Sequence, residues 1–389
     1  MDILYEHMNN LLNSTNLAFK RYLYDTIDWD ARMLALVGPR GVGKTTLFLQ
    51  HVAQSSSREH ALYISADHLY FTTHTLFEVA DTFYKEGGTA LYIDEVHKYP
   101  GWSRELKNIY DSFPAMHTYF TGSSILDIEK GEADLSRRAP RYTMQGLSFR
   151  EFLVLRHNVE APLLSLEHLL EGHASIPEVM HPLPLFHEYL VDGYYPFGID
   201  PEFQMELRQV ITRTLEVDIP QYAGMNMSTG RKLLKLMAIL AELVPFKPNF
   251  SDIAKRIQTS RNNVEDYLLY MEKAGMIAQL RSGASGLGAL GKAEKVYLDN
   301  TNIMCNLAGS NADKGTMRET FFLNQTRVGH HVSSSPSADF EIDGITFEIG
   351  GQNKTAAQLK GAERGFVVKD GIETGHGNVI PLWAFGLLY

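Results

Sequence analysis

Cysteine is almost missing. Cys305 is the sole thiol among 389 residues. It can close no disulfide within the chain, which excludes covalent staples and leads us to expect a reducing, cytoplasmic setting. Long apolar runs are missing too. A membrane-spanning helix needs about 18 to 20 consecutive apolar residues. The closest stretch, Leu233 to Phe246, is broken by Lys235 and Glu242, so no membrane partner is expected. The opening residues, MDILYEHMNN, have neither a basic start nor an apolar centre, and no signal peptide is expected. No internal repeat or low-complexity segment is evident. Positive charge is scarce: 36 Lys+Arg stand against 46 Asp+Glu, a net charge of −10. That argues against indiscriminate nucleic-acid binding by the whole surface.

What is present suits a globular protein, with 44% hydrophobic and 21% charged residues. The length exceeds what one core usually supports, so two or three domains are expected. The charge is uneven. Residues 229 to 300 hold 11 Lys+Arg against 7 Asp+Glu, a local +4 that leaves the remainder at −14. One basic segment sits inside an acidic chain.

The most specific pattern is LALVGPRGVGKTTLFLQ, Leu34 to Gln50. Met33 to Val37 is an apolar run that reads as a buried parallel strand. Gly38, Gly43, Lys44 and Thr45 follow in the spacing G-x-x-x-x-G-K-T, and the next residues have helical periodicity. Strand, loop and helix are the context a phosphate-binding loop requires. Such a loop turns its N–H groups inward, and the helix start adds a positive dipole end. The expected nucleotide contacts are Gly38, Pro39, Arg40, Gly41, Val42 and Gly43, with Lys44, Thr45 and Thr46. Lys44 would reach the β- and γ-phosphates and the Thr45 hydroxyl would bind Mg²⁺.

A second acidic pattern follows. ALYIDEV, Ala90 to Val96, is a buried strand ending in Asp94 and Glu95. Asp94 at that edge can hold Mg²⁺ through water, and Glu95 is placed to act as general base on the attacking water. Further strands are expected at Ala61–Ser65, at His117 to Ser124 and at Arg141 to Leu147, with helices between. Alternating strands and helices imply an α/β fold with a parallel sheet, whose ligands sit at the carboxyl ends of the strands. Thr121 or Ser123 would stand there, facing the γ-phosphate or the water. Arg137, Arg138 and Arg141 precede the last strand. An arginine there can supply charge to a phosphoryl transition state, often in a neighbouring subunit of a homo-oligomer.

The ordered set GPRGVGKTT, ALYIDEVHKYPGW, YFTGSS, SRRAPRYTMQGLSFREF and YLVDGYYPF resembles a family of bacterial and archaeal AAA+ ATPases. In that family a P-loop core is joined to a winged helix and a PD-(D/E)xK nuclease-like region. The resemblance covers nearly the whole chain and is most specific in the core. It implies ATP and Mg²⁺ as ligands, Lys44 and Thr45 as phosphate-loop residues, and Asp94 and Glu95 as the acidic pair. It suggests Ser123 or Thr121 as γ-phosphate sensor. Arg138 best matches the family's arginine, although the glycine that precedes it in the family is replaced by Arg137.

The expected organisation is an ATPase core over 1–155, a helical lid over 156–228, a winged helix-turn-helix over 229–300 and a nuclease-like α+β domain over 301–389. In the lid, Arg208 and Arg213 are candidates for a second sensor, and the aromatics of YLVDGYYPF read as core. In the winged helix, Ser251 reads as an N-cap. Arg261, Asn262 and Asn263 would start the helix that enters a major groove. Lys247, Lys255, Arg256, Lys292 and Lys295 would meet phosphates of duplex DNA. In the last domain Glu319, Asp339 and Glu348 are placed like a nuclease's metal ligands. The lysine position two residues past Glu348 is Gly350, and the nearest lysine is Lys354. A degenerate nuclease fold, used for binding or assembly, is therefore preferred to an active one. The function expected is Mg²⁺-dependent ATP hydrolysis that moves a C-terminal DNA- or protein-binding region. The alternatives are a slow nucleotide-controlled assembly switch and an ATP-regulated nuclease.

Overall fold

The computed structural model describes residues 1–122, 135, 137–243, 245, 247, 249–283 and 293–389, with the backbone alone for Met227 and Ser310. Contacts divide the chain into two compact units, Met1–Gly146 and Leu147–Tyr389.

The first unit begins with α1 (Asp2–Ser14) and continues β1 (Met33–Val37), α2 (Lys44–Gln54), β2 (Ala61–Ser65), α3 (Leu76–Lys85), β3 (Ala90–Asp94), α4 (Trp102–Ser112), β4 (His117–Thr121) and β5 (Arg141–Thr143). The strands form one sheet in the order β2-β3-β4-β1-β5, and every neighbouring pair is parallel. β1 is buried at all five positions. Its unbroken Met-Leu-Ala-Leu-Val run is what a parallel strand covered on both faces requires. Leu47, Phe48 and Val52 of α2 are buried as well. α3 opens with a reciprocal cap: the Thr75 side chain accepts from the Glu78 backbone, and Glu78 reaches back to Thr75.

The last strand is shorter than the expected run to Leu147. Its final sheet bond is from Met144 N to the Val37 carbonyl. Beyond it, the carbonyls of Gln145 and Gly146 accept from the buried Arg21 guanidinium at 2.8 and 2.7 Å. Those groups are satisfied by a side chain, so the strand has no reason to continue.

An aromatic cluster fills the space under the sheet. His51 stacks on Trp29, with ring centroids 3.7 Å apart, and its Nδ1 lies 2.6 Å from the Tyr92 hydroxyl. Burial, with a smaller contribution from Lys20, pushes His51 down to about 4. Its folded value lies below the ordinary 6.5, so the folded state takes up this proton later than the unfolded chain. His51 therefore contributes stability that is complete above about pH 6.5 and is lost as pH falls toward 4. We predict that the melting temperature drops between pH 7 and pH 5 and that His51→Phe flattens this drop. Equal slopes in the two proteins would show that His51 does not control it.

The second unit holds α5 (Phe149–His157), α6 (Leu166–Leu170), α7 (Leu183–Glu188), α8 (Phe203–Arg213), α9 (Ile219–Ala223), α10 (Met227–Leu243), α11 (Phe250–Arg256) and α12 (Arg261–Lys273). An antiparallel pair follows, β6 (Ile277–Leu280) with β7 (Lys295–Leu298). Then come α13 (Thr301–Ala308), α14 (Lys314–Thr326), β8 (Val332–Ser334), β9 (Phe340–Ile342), β10 (Ile345–Gly350), β11 (Gly365–Lys369) and β12 (Val379–Pro381). The last five strands form a sheet ordered β12-β11-β10-β9-β8. It is parallel across β10, β11 and β12 and antiparallel across β8, β9 and β10.

One core joins the start and end of this unit. Phe149, Phe152, Phe186 and Tyr189 share it with Phe321, Phe322, Phe347 and Phe385. Phe186 and Phe321 meet edge to face at 4.8 Å. Tyr189, Tyr194 and Tyr195 of the YLVDGYYPF segment are fully buried, as a core role demands. α7 runs into a wider turn, Tyr189–Gly193, whose freed carbonyls at Tyr189 and Leu190 are taken by Asn302 Nδ2 at 3.2 and 3.1 Å. Arg208 donates to the Asn306 carbonyl at 3.0 Å. The cap of α11 is Asn249, whose side chain accepts from Asp252 N. Ser251 is already helical, two residues past the cap. Leu268 and Met271 are buried on the inner face of α12, as their spacing requires.

Candidate functional site

The phosphate-loop sequence leaves β1 at Gly38 and enters α2 at Lys44. Gly38 is required sterically: a Cβ there would lie 2.2 Å from the Met144 carbonyl oxygen. Gly41 and Gly43 have φ of 84° and 99°, values that disfavour any side chain. The Val42 carbonyl accepts from Arg21 at 2.5 Å, so one buried arginine ties the loop to the chain leaving β5. Lys44 is buried, and its Nζ donates to the carbonyls of Gly38 and Pro39 at 2.9 and 2.8 Å. Burial brings the ammonium down to about 8, against opposing pulls from Glu95 and Asp94.

Sheet order explains how the two motifs meet. β4 lies between β1 and β3, so Thr121, its last residue, stands between the loop and the acidic pair. Asp94 is buried and accepts four hydrogen bonds. Thr45 Oγ1 donates to Oδ2 at 2.5 Å and Tyr63 OH at 2.8 Å. Thr121 Oγ1 and the Glu95 N–H, the latter at 3.1 Å, donate to Oδ1. A carboxylate has about four acceptor sites, and all are used. Thr45 and Asp94, both expected as metal residues, are thus in direct contact. A hydroxyl touching a carboxylate beside a glycine-rich loop is a donor set that suits Mg²⁺ with phosphate oxygens.

Glu95 adopts a left-handed backbone, φ 54° and ψ 39°, which costs a residue with a Cβ about 1 to 2 kcal/mol. The bend turns its side chain toward the loop: Oε2 lies 3.9 Å from an Arg40 terminal nitrogen and 3.6 Å from His97 Nε2. Burial and the charges of Lys98, Lys44 and Arg40 hold His97 down to about 3. It faces Glu95 as a neutral ring, so Arg40 supplies the charge in this contact.

The arginines lie elsewhere in the unit. Arg138 is 3.4 Å from Asp111 and has its guanidinium over Tyr110, both at the end of α4. α4 returns from the carboxyl edge of β3 to the amino edge of β4. Arg138 therefore stands at the edge opposite the phosphate loop and does not face it. Arg141, on the edge strand β5, pairs in register with Ala35 and is exposed, and Arg137 is exposed. Ser123, expected as a sensor, lies outside the described residues, as does Lys292. Thr121 contacts Asp94 and accepts from Glu95 N at 3.2 Å.

Two contributors escaped the sequence reading. Arg21 carries no spacing signal. Tyr63 sits on β2, and its contact with Asp94 depends on strand register.

In the second unit Glu319, Asp339 and Glu348 converge, but lysines occupy the space among them. Lys295 Nζ is 3.5 Å from Glu319 and 3.4 Å from Asp339, and Tyr297 OH donates to Glu319 at 2.7 Å. Lys295 is therefore engaged with two carboxylates and is not turned toward phosphates. Burial, then Asp339, raises Glu319. Glu348 is fully buried and raised mainly by burial, and Lys354 Nζ pairs with it directly. A Cβ on Gly350 would lie 2.6 Å from Lys354 Cγ and Cδ. Lys354 thus fills the space that a side chain at 350 would take. Among the described residues, no group of three or more His, Cys, Asp or Glu is placed to hold a metal ion.

Removing one partner of a buried pair leaves a charge without compensation. Lys354→Met leaves the buried Glu348 oxygen unpaired and should cost about 1 to 3 kcal/mol, and Glu348→Gln in the same chain should restore most of it. Urea unfolding measures both. A loss under about 0.5 kcal/mol, the range of ordinary surface substitutions, would make Lys354 an ordinary surface lysine.

Comparison with known proteins gives partial matches. Residues 30–153 match the family described as AAA domain, and residues 183–314 match a domain of unknown function (DUF8612). The uncharacterized protein MJ1637 of Methanocaldococcus jannaschii is 25% identical over 434 aligned positions, which cover 97% of this chain and 91% of that protein. Among solved structures, the Walker-type ATPase PABY2304 of Pyrococcus abyssi is similar at a TM-score of 0.45 and 14% identity, covering 74% of this chain and 95% of that one. C. elegans PCH-2 is similar at a TM-score of 0.27 and 15% identity, covering 70% and 67%. No helix among the described residues is long and apolar enough to cross a membrane.

Proposed function

We propose that this chain binds ATP with Mg²⁺ at the loop Gly38–Thr46 and hydrolyses it. The observation that carries this reading is the direct contact of Thr45 with Asp94, with Glu95 bent toward the same loop. The AAA-domain match over 30–153 supports it.

The loop N–H groups and Lys44 would hold the phosphates. Thr45 and Asp94 would hold Mg²⁺, which neutralises phosphate charge. Glu95 takes the proton of the attacking water as oxygen bonds to the γ-phosphorus and the bond to ADP breaks. Thr121 keeps Asp94 and the Glu95 backbone in register. Arg40 holds the Glu95 carboxylate beside the loop until phosphate competes for its charge. Arg138, facing away from its own loop, is suited to serve a second copy in a homo-oligomer. Ser123 remains the proposed γ-phosphate contact.

Within the second unit we read 229–300 as a winged helix-turn-helix, with α10, α11 and α12 followed by the β6–β7 pair. Arg261, Asn262 and Asn263 are exposed at the start of α12, which favours duplex DNA as the partner moved by hydrolysis. Residues 301–389 read as a nuclease-like fold without nuclease activity, because Lys295 and Lys354 are ion-paired with its carboxylates. We assign 156–228 to the lid. The competing readings are the slow nucleotide switch and the regulated nuclease.

Turnover by wild type, Lys44→Ala and Glu95→Gln, each with and without duplex DNA, decides among them. Glu95→Gln should lose about 10²- to 10⁴-fold in rate while keeping ATP binding, and Lys44→Ala should lose both. DNA should raise the wild-type rate. Wild type that binds ATP yet turns over no faster than Glu95→Gln would replace hydrolysis by the switch. Metal-dependent DNA cleavage lost in Asp339→Ala would establish the nuclease.

Phosphate favours the charged form of Lys44, whose value without nucleotide is about 8. Binding above that pH should take up about one proton. ATP affinity should fall between pH 8 and 9.5, with a binding heat that varies with the buffer's ionisation enthalpy. A buffer-independent heat at pH 9 would show Lys44 already charged.

A further inference from the structure

The first turns of α14 present Lys314, Met317 and Arg318 at i, i+3 and i+4, one face of a helix. That face walls a cleft of about 520 Å³, which His187 and Leu190 close from the α7 side. The floor is the turn after β10 together with Asp370, which follows β11. Asp370 N donates to the Gly350 carbonyl at 2.8 Å, and β10 and β11 are parallel. The cleft therefore opens at the carboxyl edge of parallel strands, where such sheets place ligands. Its volume is in the range of small-molecule sites, roughly 300 to 1,000 Å³.

The charges in it are unbalanced and pre-arranged. Arg318 Nε donates to Asp370 Oδ2 at 2.8 Å, which fixes the guanidinium plane. Gly351 packs against that plane, where a Cβ would make ordinary van der Waals contact with a terminal nitrogen at 3.4 Å. Among the described residues the two terminal amino groups of Arg318 meet no acceptor, and Lys314, one turn earlier and exposed, has no ion pair. His187 lies 3.8 Å from Asp370 Oδ1. Asp370 Oδ2 is committed to Arg318, while its buried Oδ1 has no hydrogen-bond partner among the described residues and His187 as its nearest basic neighbour. A planar fork beside an ammonium matches a phosphate dianion better than a single carboxylate.

We propose that this cleft binds a small phosphomonoester of nucleotide size. Arg318 and Lys314 take the phosphate oxygens, Met317 and Leu190 cover the organic part, and Asn353 offers its amide to a hydroxyl. Asp370 is a positioning residue that holds Arg318.

The test is calorimetric titration of the full chain carrying Lys44→Ala, which removes competition from the phosphate loop. AMP and ribose 5-phosphate are the probes, and adenosine is the phosphate-free control. Both phosphates should bind and adenosine should not. Arg318→Met should weaken binding at least about tenfold, the worth of a charge-assisted pair. Lys314→Met, at an exposed position that does not threaten folding, should weaken it about three- to tenfold. Unchanged affinity in Lys314→Met and Arg318→Met, or no binding of either phosphate at millimolar concentration, would overturn the proposal. So would binding confined to oligonucleotides, because the cleft would then belong to a nucleic-acid surface.

Discussion

Asp94 ends a central strand in a nearly dry position, and a carboxylate there costs several kcal/mol unless its oxygens are hydrogen-bonded. The solution found in this chain uses four donors from four places: β2, β4, the start of α2 and the following peptide. Each donor is also part of the site's geometry. Tyr63 sets the β2 side, Thr121 fills the gap made by the intervening strand, and Thr45 brings the phosphate loop against the acidic pair. The same hydrogen bonds that make the burial of Asp94 tolerable assemble the groups needed for phosphoryl chemistry.

The loop beside it obeys a related constraint. Its glycines keep the backbone close to the chain after β5, and Arg21 satisfies carbonyls on both. A buried guanidinium with three carbonyl acceptors is rigid, so the loop is held before any ligand arrives. Preorganisation of this kind lets binding energy go to the phosphates rather than to ordering the loop. Glu95 carries the local strain, in a left-handed conformation that its neighbours hold in place.

In the second unit, charge has been handled differently. Three carboxylates that resemble metal ligands in the sequence are ion-paired with Lys295, shared by Glu319 and Asp339, and with Lys354 on Glu348, while Tyr297 donates to Glu319. The ammonium groups lie against these carboxylates, and the network becomes part of the fold. Gly350 is central to this outcome. With no side chain there, Lys354 lies across the position and reaches Glu348 from six residues on.

The sequence by itself determined the elements whose signal is local. The β1 run, the loop glycines, Lys44 and Thr45, the strand ending in Asp94 and Glu95, and the buried faces of α12 follow from spacing and periodicity, because each is fixed by neighbours within a few residues. Tertiary structure alone decided what depends on strand order and long-range register. Tyr63 and Thr121 reach Asp94 because β3 lies between β2 and β4. Arg21 acts on residues more than a hundred positions away. Arg138 faces away from its own loop because α4 reverses the chain. The helices after Phe149 share a core with strands near the C-terminus, a contact no local pattern encodes. Lys295 is diverted from solvent to Glu319 and Asp339 because β7 lies beside α14. In each case the physical reason is the same: hydrophobic periodicity is a property of one segment, whereas the partner of a buried polar group is chosen by whichever segment the folded chain brings within about 3 Å.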